Sequence, residues 1–583
     1  MPAAPQSSGI KLGTAPKNYS REQDKLRPPE ETVTWVRSRF QELGREVLKK
    51  TMRIDTGRLD IPVYISLCGP DATALTGTSK QMGKGASPSQ AEASALMELA
   101  ERFSFFHFVK TTDFPLLTAD QAGDQAMPFP QIMRSLYHPA EDAERARAVY
   151  GLLPQRWCWA RNLTAGREEL LPLDWFYTIN EYNGPAAGNC LEEAVLQSLC
   201  EVVERHVSAL VTLEQRRTPA IDPRSIEDPV ARELVDKFQA AGIRVFLKDY
   251  TCDLGIPSVA ALCYDPESFP HKSEIVYAAG TATTPAKALI RALTEVAQLA
   301  GDFMHHTSYL VSALPKFQTL EEAAYVTEPA GSVPLDSLPD VGRDDFRDEV
   351  LACVRALEER GFSVYTINVT HPELQVPAVY TIVPGAHFAY RTTGTDVVFH
   401  AAKLASQLDD PELSVRVLGE MSRHAGQAYY LHFFHALALL NLGRADQALS
   451  ELETALSLGP TPEDEASIHT QIGVALKDMG LYGEAKKALQ KAASFPEPHH
   501  EVFNLLGFCH FKLGEYQEAI EAFGRAIEIE PGVGINYANI GTNLRELGRI
   551  DEAIEMYRHA LELDPGLDFA RDNLERLLAS RDG

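Results

Sequence analysis

No stretch of this 583-residue chain approaches the roughly 18 uninterrupted apolar residues that a membrane-spanning helix needs. The first twenty residues, MPAAPQSSGIKLGTAPKNYS, hold no apolar h-region, so secretion is not indicated. Cysteine is sparse. Cys68, Cys158, Cys190, Cys200, Cys252, Cys263, Cys353 and Cys509 lie far apart without a CxxC pair, which argues against structural zinc and for reduced thiols. In such a compartment the sequons at Asn162 and Asn368 have no meaning. Basic residues are outnumbered, 55 Lys+Arg against 81 Asp+Glu for a net charge of −26, which makes nucleic acid a poor expectation. A cytoplasmic protein with no membrane partner is the reading.

Familiar catalytic signatures are missing as well. HExxH and GxSxG do not occur. LTGTSKQMGKGA contains Gly77, but a P-loop reaching Gly83-Lys84 needs glycine at Thr78, and Gly85 stands where Ser or Thr should be. The 17 histidines, including His305-His306 and His499-His500, lack ligand spacing and read as ordinary surface or core residues. What is present is a globular composition, 45% hydrophobic and 23% charged, long enough for several cores.

The C-terminal third repeats. Gly480, Gly514 and Gly548 recur at an interval of 34, as do Ala485, Ala519 and Ala553, and Ala492, Ala526 and Ala560; Pro531 and Pro565 keep the same interval. An earlier copy, Gly443, Ala448 and Ala455, is offset by 37, with extra residues near Gly459-Pro460. Small residues let paired helices approach, and each unit must bury its face on the next. This pattern resembles the tetratricopeptide repeat, clearest in LGFCHFKLGEYQEAIEAFGRAIEIEP (506–531). About four repeats are expected over 428–566, LDFARDNLERLLAS reads as a capping helix, and 396–427 as a helical connector or degenerate repeat. Such arrays present a groove to a partner, form a dimer surface, or simply cap a neighbour.

Upstream, strand-like runs (IPVYISLC, YAAGTA, SVYTINVT, VPAVYTIVP) alternate with amphipathic helices, which predicts an α/β (α+β) domain. Three helices share a pattern registered on Glu98, Glu201 and Glu295. Seven residues earlier stand Ala91, Ala194 and Ala288; two earlier, Leu96, Leu199 and Leu293; three later, Glu101, Glu204 and Gln298. Ser87-Pro88 and Thr284-Pro285 place a cap and an N1 proline at matching offsets. Positions i and i+3 share a helix face, so each helix offers two acceptors together, joined at i−4 by Ser94, Gln197 and Arg291. Arg102 and Arg205 follow the second Glu and can pair with carboxylates or phosphates. Five carboxylates in one interior cleft would repel unless countered by cations, and Mg²⁺ carrying phosphates is the natural counter-charge. A salt-bridged structural core accounts for the same pattern, and the residues alone leave both readings open.

At these segments the chain strongly resembles the YcaO family, from about Lys17 to Arg391, with ASALMELAER (93–102), NGPAAGNCLEEAVLQSLCEVVER (183–205) and ALIRALTEVAQ (288–298) as its most specific parts. The resemblance implies a distinctive fold that binds ATP and Mg²⁺ without a P-loop. It implies that Glu98, Glu201, Glu204 and Glu295 hold Mg²⁺, and that Ser94, Glu101, Arg102, Asn189, Glu193, Arg205, Arg291 and Gln298 line the nucleotide site. Lys25 and Thr32, in a stretch similar to the family's N-terminal helix, would also contact ATP. The domain plan is then a flexible N-terminus (1–16), a YcaO-like ATP/Mg-binding catalytic domain (17–395), the 396–427 connector and an all-α repeat solenoid (428–583).

Family members activate a backbone amide: its oxygen attacks the γ-phosphate, a nucleophile adds to the amide carbon, and phosphate leaves. A side-chain Cys or Ser then yields an azoline, external sulfide a thioamide, and an amine an amidine. No residue stands out as base or sulfur donor, and Cys190 and Cys200 read as inert helix cysteines. Azoline-forming members commonly end in a proline-rich C-terminus, whereas this chain ends LLASRDG after its repeats. That departure favours thioamidation-like chemistry, or the accessory role in ribosomal-protein methylthiolation attributed to some members. Azoline formation and a non-catalytic ATP-binding adaptor are the alternatives. The expected partners are a peptide or protein substrate and a sulfur-delivery or accessory protein on the repeats, with a homodimer allowed.

Overall fold

The structure is a computed structural model, and it describes residues 7–137, 142–271, 274–300, 303, 317–388 and 395–581. Residues 1–6, the His305-His306 pair and Arg391 lie outside the described residues. The chain forms two compact units, one of residues 1–140 and 154–397 and the other of 141–153 and 398–583.

The first unit is α/β, as the alternation predicts, and its described residues form three sheets. Leu48–Arg53, Val63–Cys68 and Lys80–Lys84 form an antiparallel sheet with Lys80–Lys84 at one edge. The five-stranded sheet runs, in spatial order, Val276–Thr281, Ser258–Tyr264, Arg244–Asp249, Ala220–Ile221 and Ser332–Val333, its last pair parallel. The third sheet runs Leu116–Leu117, Gln155–Asn162, Tyr365–Asn368, Ala378–Ile382 and Pro185–Ala187, with Arg167–Pro172 beside Gln155–Asn162. All four runs quoted from the sequence contain strands.

Each acidic helix follows an edge strand of a different sheet. The first motif helix (Pro88–Thr111) follows Lys80–Lys84, the second (Leu191–Leu213) follows Pro185–Ala187, and the third (Pro285–Ala300) follows Val276–Thr281. Ser87 caps the first as predicted, its hydroxyl accepting from Gln90 N at 3.4 Å, and Thr284 caps the third, accepting from Lys287 N at 3.5 Å. Two glycines set how closely strand and helix pack. A Cβ on Gly83 would stand 2.0 Å from Ala95 N, and one on Gly280 would stand 2.4 Å from Ala292 N. Gly83 and Gly280 precede their motif alanines, Ala91 and Ala288, by the same interval, so strand and helix touch backbone to backbone in both copies.

The N-terminal segment, expected to be flexible up to residue 16, is held against this unit from Ser8 onward. Ile10 and Ala15 are buried, Gly13 N donates to Glu192 at 2.6 Å, and Ala15 N donates to Asp345 at 2.8 Å. Partners as distant along the chain as Glu192 and Asp345 leave no trace in local composition.

In the second unit, four helix pairs run from Tyr429–Asn441 to Ile550–Leu563, followed by the helix Asp568–Arg581. The pair Val397–Ser406 and Pro411–Ala425 precedes them. Gly473, Gly507 and Gly541 recur at the repeat interval, and added Cβ atoms would meet Leu489, the Phe523 ring and the Tyr557 ring, which recur at that interval too. The period is therefore a packing contact, in which a large side chain of one helix fills the notch left by glycine on its partner.

Candidate functional site

The three motif helices and the helix Pro29–Glu42 enclose a cavity of about 420 Å³. All fourteen residues singled out in the sequence line it: Lys25, Thr32, Ser94, Glu98, Glu101, Arg102, Asn189, Glu193, Glu201, Glu204, Arg205, Arg291, Glu295 and Gln298. Three motif copies well separated along the chain thus converge on one space. The i−4 row meets there too, with Arg291 Nη1 donating to Gln197 Oε1 at 2.8 Å.

On one part of the lining Thr32 Oγ1 donates to Asn189 Oδ1 at 2.9 Å, and Asn189 Nδ2 donates to Glu193 at 3.1 Å. Lys25 Nζ reaches the same Glu193 at 3.1 Å, and Leu26 N donates to it at 3.0 Å. The N-terminal segment is thereby tied to the second motif helix through one buried carboxylate. The Arg205 and Glu98 side chains are more open, 45% and 33% exposed.

Every one of the four carboxylates expected to hold metal has a basic neighbour. Glu98 pairs with Arg102 at 3.0 Å, Glu201 with Arg205 at 4.0 Å, Glu204 with Arg291 at 3.3 Å, and Glu295 with Lys84. The repulsion expected among the acids is thus answered within the protein, by alternating charges rather than by an excess of one sign. Burial, with Glu98 alongside, holds the Glu101 carboxyl well above the usual carboxylate range. Burial also raises Glu201, against the pull of Arg205 and Arg102. Burial and the nearby Arg291 bring the Lys84 ammonium down to about 7.

The lining suits a hard cation carried with a polyanion. It contains no Cys and no His; apart from the thioethers of Met82 and Met97, its donors are oxygen and nitrogen. Among the described residues no three His, Cys, Asp or Glu side chains converge closely enough to hold an ion alone. Mg²⁺ is usually held by one or two carboxylates, the remaining positions filled by phosphate oxygens and water. Of the buried polar atoms near the cavity, Gln90 Oε1 and Arg291 Nε have no hydrogen bond within the protein, and Glu101 Oε1 faces Arg102 Nε at 3.4 Å.

The sequence reading missed Lys84, Lys80, Gln90 and Glu22, which share this lining. Glu22 accepts from Ala86 N and Ser87 N, both at 3.0 Å, where the chain turns into the first motif helix. Lys84 and Gln90 lie within GKGASPSQ (83–90), where from sequence Lys84 reads only as part of a failed P-loop and Ser87-Pro88 only as a cap and N1 proline. Cys190 proves to be the cap of the second motif helix, its sulfur accepting from Glu193 N at 3.4 Å. Burial pushes both the Cys190 and Cys200 thiols up to about 12, so neither is a ready nucleophile.

Fold and cavity together define an α/β domain with a charge-alternating, oxygen-lined cleft, joined in one chain to a helical repeat array. A family model described as YcaO cyclodehydratase, ATP- and Mg²⁺-binding, matches residues 82–387, more than half of the chain. Tetratricopeptide-repeat models match 466–497 and 500–565. The chain belongs to the YcaO family, an ATP- and Mg²⁺-binding family, and carries tetratricopeptide repeats.

An uncharacterized protein of Methanothermobacter thermautotrophicus is 30% identical over 383 residues, covering 61% of this chain and 93% of its own length. The ribosomal protein S12 methylthiotransferase accessory factor YcaO of Escherichia coli is 25% identical over 212 residues, 32% of this chain and 35% of that protein. Among solved structures, a heterocyclase in complex with substrate and cofactor superposes with a TM-score of 0.53 at 24% identity. It covers 65% of this chain, which spans about half (54%) of that heterocyclase, and the likeness is one of fold. No described helix is long and apolar enough to cross a membrane.

Proposed function

We propose that this protein uses ATP to phosphorylate the oxygen of a peptide backbone amide, so that an external nucleophile replaces that oxygen. The observation that carries the reading is the convergence of the fourteen residues on one cavity. In this reading Glu98, Glu201, Glu204 and Glu295 would hold Mg²⁺, which when bound neutralises charge on the transferred phosphoryl group. Arg102, Arg205, Arg291, Ser94, Asn189, Gln298 and Lys25, with Thr32, Glu101 and Glu193, would position the nucleotide.

The amide oxygen forms a bond to the γ-phosphorus as the bond to the β-γ bridging oxygen breaks and ADP departs. A nucleophile such as sulfide adds to the amide carbon, the carbon–oxygen bond breaks, and inorganic phosphate carries the oxygen away. Phosphorylation is what turns a poor leaving group into a good one. The two cysteines nearest the motifs are buried or half-buried and held as thiols, so neither of them supplies the nucleophile. The repeats would recruit the substrate or a sulfur-delivering partner; an accessory role in ribosomal-protein methylthiolation is the other reading of the same ATP site.

Proteins captured on the full-length chain, incubated with it, Mg-ATP and sulfide, should release phosphate and gain the mass of sulfur for oxygen. Loss of one water instead would identify azoline formation. ATP bound but never consumed, with captured proteins unchanged in mass, would leave a nucleotide-binding adaptor.

A further inference from the structure

Gly83-Lys84-Gly85 fails the P-loop pattern, yet the fold brings its lysine into the cavity by another route. Gly83 is pressed on the first motif helix, with a Cβ there standing 2.4 Å from Ala91 O, and one on Gly85 would stand 2.7 Å from Ala91 N. The two glycines pin the end of the strand Lys80–Lys84 to that helix. Because side chains alternate along a strand, Lys84 projects to the other side, where it meets Glu295 of the third motif helix. The lysine therefore bridges two of the three acidic helices at the wall of the cavity.

Its position differs from those of the three arginines. Arg102 and Arg205 each pair with a glutamate of their own helix, and Arg291 is braced by Gln197 as well as Glu204. Lys84 forms its ion pair with Glu295, and that carboxylate is one that Mg²⁺ would claim. Were Mg²⁺ held by Glu295, the Lys84 ammonium would lose that partner, and its four-carbon stem would let it turn to phosphate oxygens bound beside the carboxylate.

We propose that Lys84 is a phosphate-binding residue of this site, a counter-ion that exchanges Glu295 for the polyphosphate when Mg-ATP enters. This deepens the reading above and rests on it. In the alternative Lys84 merely neutralises Glu295, and the two roles predict opposite signs. Calorimetric titration of the full-length protein with Mg-ATP should show Lys84→Gln binding about tenfold to hundredfold more weakly than wild type, the size of a lost charge-assisted hydrogen bond. Lys84→Arg should recover most of the affinity, and the loss should shrink markedly for AMP, which has no β- or γ-phosphate. Thermal melts of the same samples establish that the variants are folded. Should Lys84→Gln melt early, the affinity of Lys84→Arg decides, because it keeps the charge. Unchanged or tighter Mg-ATP binding by Lys84→Gln would overturn the proposal, since removing a competing ammonium frees Glu295 for the metal. Wild-type protein that binds no Mg-ATP would overturn this inference together with the reading beneath it.

Discussion

The two units solve the problem of close packing in opposite ways. In the repeat unit, glycine and alanine recur once per repeat, and each contact is made with a near neighbour in sequence, as Gly507 is with Phe523. In the first unit, glycine instead lets backbone touch backbone, and the contacts deliver charge. Gly83 and Gly280 seat edge strands against helices that carry Glu98 and Glu295 into a common cavity. The repeat unit uses its small residues for regularity, the first unit to bring like charges together with their counter-ions. Damage to the first unit should erase chemistry before stability, and damage to the repeat unit should do the reverse.

The largest expected effect is at Glu201, which sits among Glu98, Glu204, Arg102 and Arg205. Glu201→Ala should weaken Mg-dependent ATP binding by more than about a hundredfold, since it removes an anionic donor and leaves Arg205 without its partner. Titration calorimetry reads this directly. Binding at wild-type strength would detach the three-helix motif from the nucleotide.

Next comes the mirror experiment. Phe523 is almost wholly buried against Gly507, and Phe523→Ala should cost the repeat unit about 3–5 kcal/mol. Denaturant unfolding should register that loss while Mg-ATP affinity stays at the wild-type value. A parallel fall in nucleotide affinity would break the division of labour between the units.

The smallest effect is a pH dependence within the repeats. Hydrogen bonds from His432 (2.6 Å) and His435 (3.2 Å) hold the Glu451 carboxyl down at about 2, from an ordinary 4.5. A carboxyl whose pKa is lower folded than unfolded stabilises the fold above the unfolded value. That contribution is lost as pH falls from about 4.5 through about 2. After allowance for solvent screening it is worth about 1–2 kcal/mol. Melting curves of wild type and Glu451→Gln should differ above pH 4.5 and converge toward pH 2. A constant gap across that range would show that the carboxylate charge is not what the histidines stabilise.

Much of the cavity was legible because its acids lie on helices, where i, i+3 and i+4 are neighbours by construction and a repeated offset announces a shared face. Lys84, Lys80 and Glu22 escaped for the complementary reason: they sit on an edge strand and on the N-terminal segment, where nothing in the local pattern says which distant group they meet. Asn189 and Glu193 stood out through family resemblance, while their bond network to Thr32 and Lys25 is visible only when the N-terminal segment is seen against the second motif helix.

The amino-acid sequence by itself determined the repeat array, the three acidic helices and the types of residue available for nucleotide chemistry, because each depends on spacings within one or two helical turns or within one repeat. Only the tertiary structure decided that three edge strands from three sheets aim those helices at one cavity. It alone decided that every expected metal carboxylate has a basic neighbour and that the N-terminal segment is tied to the second motif helix through Glu193. Those facts rest on contacts between residues far apart along the chain. Backbone-to-backbone packing at Gly83 and Gly280 sets them, and no local pattern of charge or hydropathy encodes them.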